Sequence, residues 1–170
     1  LYTDSAFNDM VYQMPKIFPE QGVENRVIAL PGVGSPDSSS LMVDVIVDVN
    51  SFTPCQVFPL HLYKSHGEDR NLSIDQSASG KYTILDGIGQ PGFEHFKKAY
   101  PKAKFSKEDL FYYIYGLLHS SEYRERFQNN LSKELPRIPA VKSLDDFKAF
   151  SEAGRQLADL HVNYESVTPY

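Results

Sequence analysis

Cysteine is nearly missing from this chain: of its 170 residues only Cys55 is one. An internal disulfide is therefore excluded, and the usage suits a reducing, cytoplasmic compartment. Basic residues are also short, 17 Lys and Arg against 22 Asp and Glu, for a net charge of −5. That balance argues against a free-standing, non-specific nucleic-acid binder, which must neutralise phosphates with cations. No apolar run reaches the roughly 18 residues that span a bilayer, so no membrane contact is expected. A signal peptide is missing, because polar residues follow Leu1 at once. An initiator methionine is missing too, and Tyr2-Thr3-Asp4 reads as the interior of an element, so the chain is taken as a fragment of a longer polypeptide.

Catalytic strings are scarce as well. Pro31-Gly32-Val33-Gly34-Ser35 has two closely spaced glycines. It lacks the third glycine of a dinucleotide site and the Lys-Ser/Thr pair of a Walker loop, so it reads as a plain loop. There is no Gly-x-Ser-x-Gly elbow. His61 and His66 have no Cys or third His nearby, and His119 and His161 read as hydrogen-bonded core histidines, since metal sites usually draw on three or four donors. Nothing marks Cys55 as an activated nucleophile, so a buried free thiol is the reading.

What is present divides into two halves. Residues 1–90 read mostly as β and loops. Strands are expected at Arg26–Leu30, at Leu41–Val49 with Leu41, Val43, Val45, Val47 and Val49 on the buried face, and at Gln56–Tyr63. Pro59 places the last at an edge or a bulge. Residues 64–81 read as a long exposed loop. Residues 91–170 read as helix. Pro91 opens a short helix carrying Phe93 and Phe96. Ser106-Lys107-Glu108-Asp109 offers a capping-box start for a core helix whose tyrosines, Tyr112, Tyr113 and Tyr115, pack inward. A second helix after Ser120-Ser121 turns Tyr123, Phe127 and Leu131 inward and Arg124, Glu125, Arg126 and Asn129 outward. Pro136-Arg137-Ile138-Pro139 ends helical structure. Ser143-Leu144-Asp145-Asp146 starts a last helix with Phe147, Phe150, Gly154, Leu157 and His161 along one side. Asp146-Phe147-Lys148 has the letters of a nuclease metal motif, but on a helix start Asp146 reads as a cap. The expectation is one α+β domain over 1–170, with a sheet of about three or more strands and a cluster of about four helices.

Several of these strings resemble the C-terminal specificity region of Type ISP restriction-modification enzymes: Glu108 through Ser120, Glu122-Tyr123-Arg124-Glu125-Arg126-Phe127, Pro136 through Pro139, Ala153 through His161, Tyr12 through Pro19, Glu24 through Ile28, and Gln56 through Tyr63. The resemblance covers most of the chain and is weakest at 65–90. It implies a parent polypeptide joining a nuclease, a helicase-like ATPase, an adenine-N6 methyltransferase and this target-recognition domain. S-adenosylmethionine, ATP and Mg would belong to the upstream parts, with no cofactor and no metal in this fragment. The chain has no Asn/Asp-Pro-Pro-aromatic string, so the fragment itself is expected to be no enzyme. The partners implied are double-stranded DNA and the upstream methyltransferase domain.

Charge distribution suits that role better than net charge does. Residues 1–63 hold two basic and seven acidic side chains, whereas 101–140 hold seven basic and five acidic. The seven, Lys102, Lys104, Lys107, Arg124, Arg126, Lys133 and Arg137, are the candidates for phosphate contact. Candidates for reading bases come from polar loops: Ser38, Ser39, Lys64, His66, Arg70, Asn71 and Lys81. Two other readings stand beside this one: an intramolecular scaffold that docks on the methyltransferase without reading DNA, and an independent small hydrolase or binding protein. A solvated helix face laced with i,i+4 pairs also accounts for Arg124 and Arg126.

Overall fold

A computed structural model describes residues 14–32, 39–47, 55–65, 81–131 and 133–168. The described elements are strands β1 (Val27–Pro31), β2 (Leu41–Val43), β3 (Cys55–Pro59), β4 (His61–Ser65) and β5 (Tyr82–Asp86), then helices α1 (Gln90–Ala99), α2 (Lys107–Leu118), α3 (Ser121–Leu131) and α4 (Leu144–Val162). The α+β class and the four-helix cluster match the expectation.

The strands form an antiparallel sheet in the order β2-β1-β3 and a separate hairpin, β4-β5. Central β1 is apolar throughout, and Val27, Ile28, Ala29 and Leu30 are all buried. Pro59 closes the edge strand β3, where its missing amide costs no ladder bond. Three details differ from the sequence reading. Of the expected strand Leu41–Val49 only Leu41–Val43 is strand among the described residues, and 48 and 49 lie outside them; the inward residue of β2 is Met42, while Leu41 is 36% and Val45, beyond the strand, 61% exposed. The register explains it: Met42 sits opposite Ile28 and Leu41 opposite Ala29, and partners across a ladder share a face. Ile28 faces the helices, so Met42 must. The reading of one strand from Gln56 to Tyr63 becomes two strands, broken at Leu60. There the Leu60 amide donates to Arg26 O at 2.7 Å, and Gly87 N–H donates to Leu60 O at 2.8 Å. Strand β5 was not foreseen. Of the expected loop 64–81, Lys64 and Ser65 belong to β4 and Lys81 adjoins β5, while 66–80 lie outside the described residues.

The break depends on Asn25, which is buried and fully bonded. Its Nδ2 donates to Ile17 O and His61 O, both at 2.9 Å, and its Oδ1 accepts from the amides of Arg26 and His61. Gly87 lets the hairpin abut this point, because a Cβ there would lie 1.8 Å from Pro59 O.

In the helical half, α2 begins with a full capping box: Ser106 Oγ accepts from Asp109 N at 3.0 Å, and the Asp109 carboxylate accepts from Ser106 N at 2.8 Å. The helix is buried almost all round, as its composition implies. It crosses α4 where two glycines meet. A Cβ on Gly154 would fall 2.0 Å from Tyr112 O, and one on Gly116 2.3 Å from Phe150 O. Helix α4 is capped by Ser143, whose Oγ accepts from the amides of Asp145 and Asp146. Asp146 is thus a first-turn residue and not the cap. Phe96, Tyr100, Phe105, Tyr113 and Phe147 form an aromatic knot around this junction, with Tyr113 stacked on Phe147 at 4.7 Å. Among the described residues no helix is long and apolar enough to cross a membrane.

Candidate nucleic-acid interface

The cationic candidates sit at opposite ends of α2. Lys102 and Lys104 lie in the turn after α1, and Lys107 opens α2. Arg124 and Arg126 lie on α3, beyond the far end of a 12-residue helix that spans about 18 Å. Lys133 and Arg137 follow on the segment that joins α3 to α4.

That connector runs back along α2, and three tyrosines hold it. Tyr123 OH donates to Arg137 O at 2.7 Å, Tyr113 OH to Pro139 O and Tyr100 OH to Val141 O, both at 2.5 Å. Side chains alternate with it: Arg137 and Pro139 are exposed, whereas Ile138 and Ala140 pack on the core. Burial pushes the phenols up, Tyr113 to about 12, so all three hydroxyls keep the proton they donate. The connector therefore joins the α3 arginines to the α1–α2 lysines.

The candidates differ in how engaged they are. Among the described residues Lys102, Lys104, Arg124 and Lys133 are exposed and form no ion pair. Arg126 lies against the Phe127 ring at 5.7 Å. Arg137 meets Glu134 at 3.0 Å, yet its side chain stays 85% exposed, so the pair is weak and water-screened. Lys107 is the most enclosed, bonded to Asp86 at 3.2 Å. Of the base-reading candidates, Ser38, His66, Arg70 and Asn71 lie outside the described residues. Ser39 is exposed just before β2, and Lys64 is exposed on β4. Lys81 is exposed, paired with Glu20 and 5.2 Å from the Tyr82 ring centroid.

His119 and His161 behave as structural groups. His119 Nε2 shares a hydrogen bond with Ser40 Oγ at 2.9 Å. Tyr115 OH accepts from Met42 N at 2.8 Å, which leaves its own proton to donate to His161 Nδ1. Burial, then the nearby His161 and Arg124, push His119 down to about 4, and burial lowers His161 too. No group of three or more potential metal ligands occurs among the described residues. Cys55 is half-buried, and burial raises its thiol further from reactivity. A polar cleft of about 560 Å³ lies between Glu24, Arg26, Asp44, His61 and Asn163. An apolar groove of about 230 Å³ lies between Phe58, Ile88, Ile114, Leu118, Leu135 and Ile138.

Known proteins place this architecture. The family model for the Type ISP C-terminal specificity domain matches residues 1–170. Among solved structures, the chain is similar to the DrdV–DNA complex seen by cryoEM, with a TM-score of 0.76 and 32% identity over 100% of the chain. It is similar to the ATP-dependent Type ISP restriction-modification enzyme LlaBIII bound to DNA, with a TM-score of 0.72 and 32% identity over 92% of the chain. A nuclease-deletion mutant of the Type ISP enzyme LlaGI, in complex with a DNA substrate mimic, aligns at a TM-score of 0.68 and 29% identity over 93%. The chain spans only 15%, 9% and 12% of those three proteins. Among curated proteins none matches it.

Proposed function

The chain belongs to the Type ISP C-terminal specificity domain family, and on that premise we propose that it is a sequence-specific recognition module for double-stranded DNA. Exposed cations on the α1–α2 turn, α3 and the connector contact phosphates and fix register. Polar side chains from the strand connections read base edges in the groove. The observation that carries this reading is the match, across nine-tenths or more of the chain, to three structures that contain DNA or a DNA mimic. Nuclease, ATPase and adenine-methyltransferase chemistry, with ATP, Mg and S-adenosylmethionine, is assigned to other parts of a longer polypeptide, and this chain performs none of it.

The net charge of −5 is compatible with the proposal, because a tethered module need not supply all the affinity. A labelled duplex titrated by fluorescence anisotropy at several salt concentrations tests it. Log affinity should fall linearly with log salt; a flat line removes phosphate contact from the account.

One observation favours a second role alongside the first. The apolar groove carries Phe58 and Leu135, both more than two-fifths exposed, and such a surface suits docking on the methyltransferase. An Arg124→Ala/Arg126→Ala variant tests recognition, and a Leu135→Ser variant in the groove tests docking. Lost recognition weakens DNA binding at unchanged stability, whereas lost docking lowers the stability of the assembled enzyme whatever the DNA.

A further inference from the structure

We propose that Tyr100, Tyr113 and Tyr123 are positioning residues that hold the α3–α4 connector as a phosphate-contacting rail, and that Lys142 joins Arg137 as a contact on it. The inference rests on the DNA reading above and says which surface the duplex backbone follows.

The hydroxyls are the telling feature. Phenylalanine would pack equally well at Tyr100 and Tyr113 in the aromatic knot and at Tyr123 against Phe127, so packing does not call for three phenol oxygens. Each instead reaches a carbonyl two residues beyond the last, Arg137, Pro139 and Val141. Successive carbonyls of an extended segment point to opposite sides, so hydroxyls at every second residue grip one side, as a neighbouring strand would. Among the described residues the connector has no such strand. Pro136 and Pro139 lack amide donors, which suits an unpaired segment whose backbone angles must still be restricted. Held this way, Arg137 projects into solvent and Lys142 is exposed where the segment reaches α4.

The rail also connects what α2 keeps apart. One end lies against Tyr123, next to Arg124 and near Arg126. The other lies against Tyr100, two residues before Lys102 and four before Lys104. A fixed connector thus sets the spacing between two groups of exposed cations, and phosphate contacts convert fixed spacing into register on a duplex. Glu134 beside Arg137 is the one carboxylate on the rail, and an exposed pair of this kind yields readily to a phosphate.

A double-mutant cycle tests the idea, with anisotropy of a labelled mixed-sequence duplex at low salt and a thermal melt of each variant. Arg137→Ala and Lys142→Ala should each flatten the salt slope by about 1. Tyr123→Phe should weaken binding about threefold or more in the wild-type background and leave an Arg137→Ala protein unchanged, because the two residues then act as one unit. Tyr100→Phe against Lys142→Ala repeats the cycle at the other end and decides the matter if Tyr123→Phe does not fold. Additive effects in both cycles, or Tyr→Phe variants that bind like wild type, overturn the rail. So does equal competition by polyglutamate, which would make the cationic surface a protein-docking one. If wild type shows no salt-dependent binding at all, the DNA reading has failed. If wild type responds to salt but Arg137→Ala and Lys142→Ala leave its slope unchanged, only the rail has failed.

Discussion

Substituting Gly154 by alanine should destabilise the protein markedly, although alanine is the better helix former. The new Cβ would sit 2.0 Å from Tyr112 O and 2.8 Å from Gly116 N, both backbone atoms of a neighbouring helix. Ordinary carbon–oxygen approach is about 3.3 Å, so α2 and α4 must separate by roughly 1 Å at the crossing. A flexible side chain cannot absorb that movement. It propagates to Leu110, Tyr113, Tyr115, Phe147 and Ala158, which are almost fully buried beside the junction. Overpacking of this kind costs about 1–3 kcal/mol, with more where backbone must move. Replacing glycine in a helix returns about 0.8–1 kcal/mol. Backbone contact puts the first figure at the top of its range or above, so the net loss is about 2–3 kcal/mol. For a domain of this size that lowers Tm by roughly 5–10 °C. Gly116→Ala presses on the same gap, so the double variant should lose less than the two singles combined. Differential scanning calorimetry reads all three. A Gly154→Ala protein that melts at or above wild type would refute the close crossing of these helices.

Acid should weaken the fold through His119. Folding lowers its pKa from 6.5 to about 4, so the unfolded chain takes up the proton first. Stability is intact above about pH 6.5 and falls until about pH 4, by about 1–2 kcal/mol once screening of a partly buried ring is allowed for. Urea melts across that window check it, and His119→Gln should flatten the dependence. Ser106→Ala removes the hydroxyl half of the α2 capping box and should cost about 1 kcal/mol by chemical denaturation. A Lys102→Gln/Lys104→Gln variant should flatten the salt slope of DNA binding by about 2 while leaving Tm unchanged, since both side chains are exposed and unpaired among the described residues.

The helices were legible because their signals are local. Ser106 and Ser143 announce caps three residues ahead of Asp109 and Asp146, and Tyr123, Phe127 and Leu131 repeat at helical spacing. The strands were less so. Alternation from Leu41 gave the wrong face, because pairing of Met42 with Ile28 decides the register and depends on β1. Strand β5 escaped because Thr83 to Asp86 are all exposed and carry no alternation. The strings behind the family resemblance prove to be contact-bearing. Asn25 ties the Glu24–Ile28 string to His61 in the Gln56–Tyr63 string. In the Ala153–His161 string, Gly154 makes the helix crossing, Arg155 clamps Glu108 and lies over the Tyr112 ring at 4.2 Å, and Asp159 pairs with Arg26. The cations could be counted along the chain. Their linkage could not, because Tyr100, Tyr113 and Tyr123 meet the connector only after the helices pack.

The central claim, that duplex DNA lies against the connector and the α1–α2 turn, is tested most directly by lysine footprinting. The protein is acetylated with and without a duplex, and each site is read by mass spectrometry. The account expects Lys102, Lys104, Lys133 and Lys142 to lose reactivity when DNA is present while Lys16 keeps its own. Unchanged labelling at those four, with DNA demonstrably bound, would contradict it.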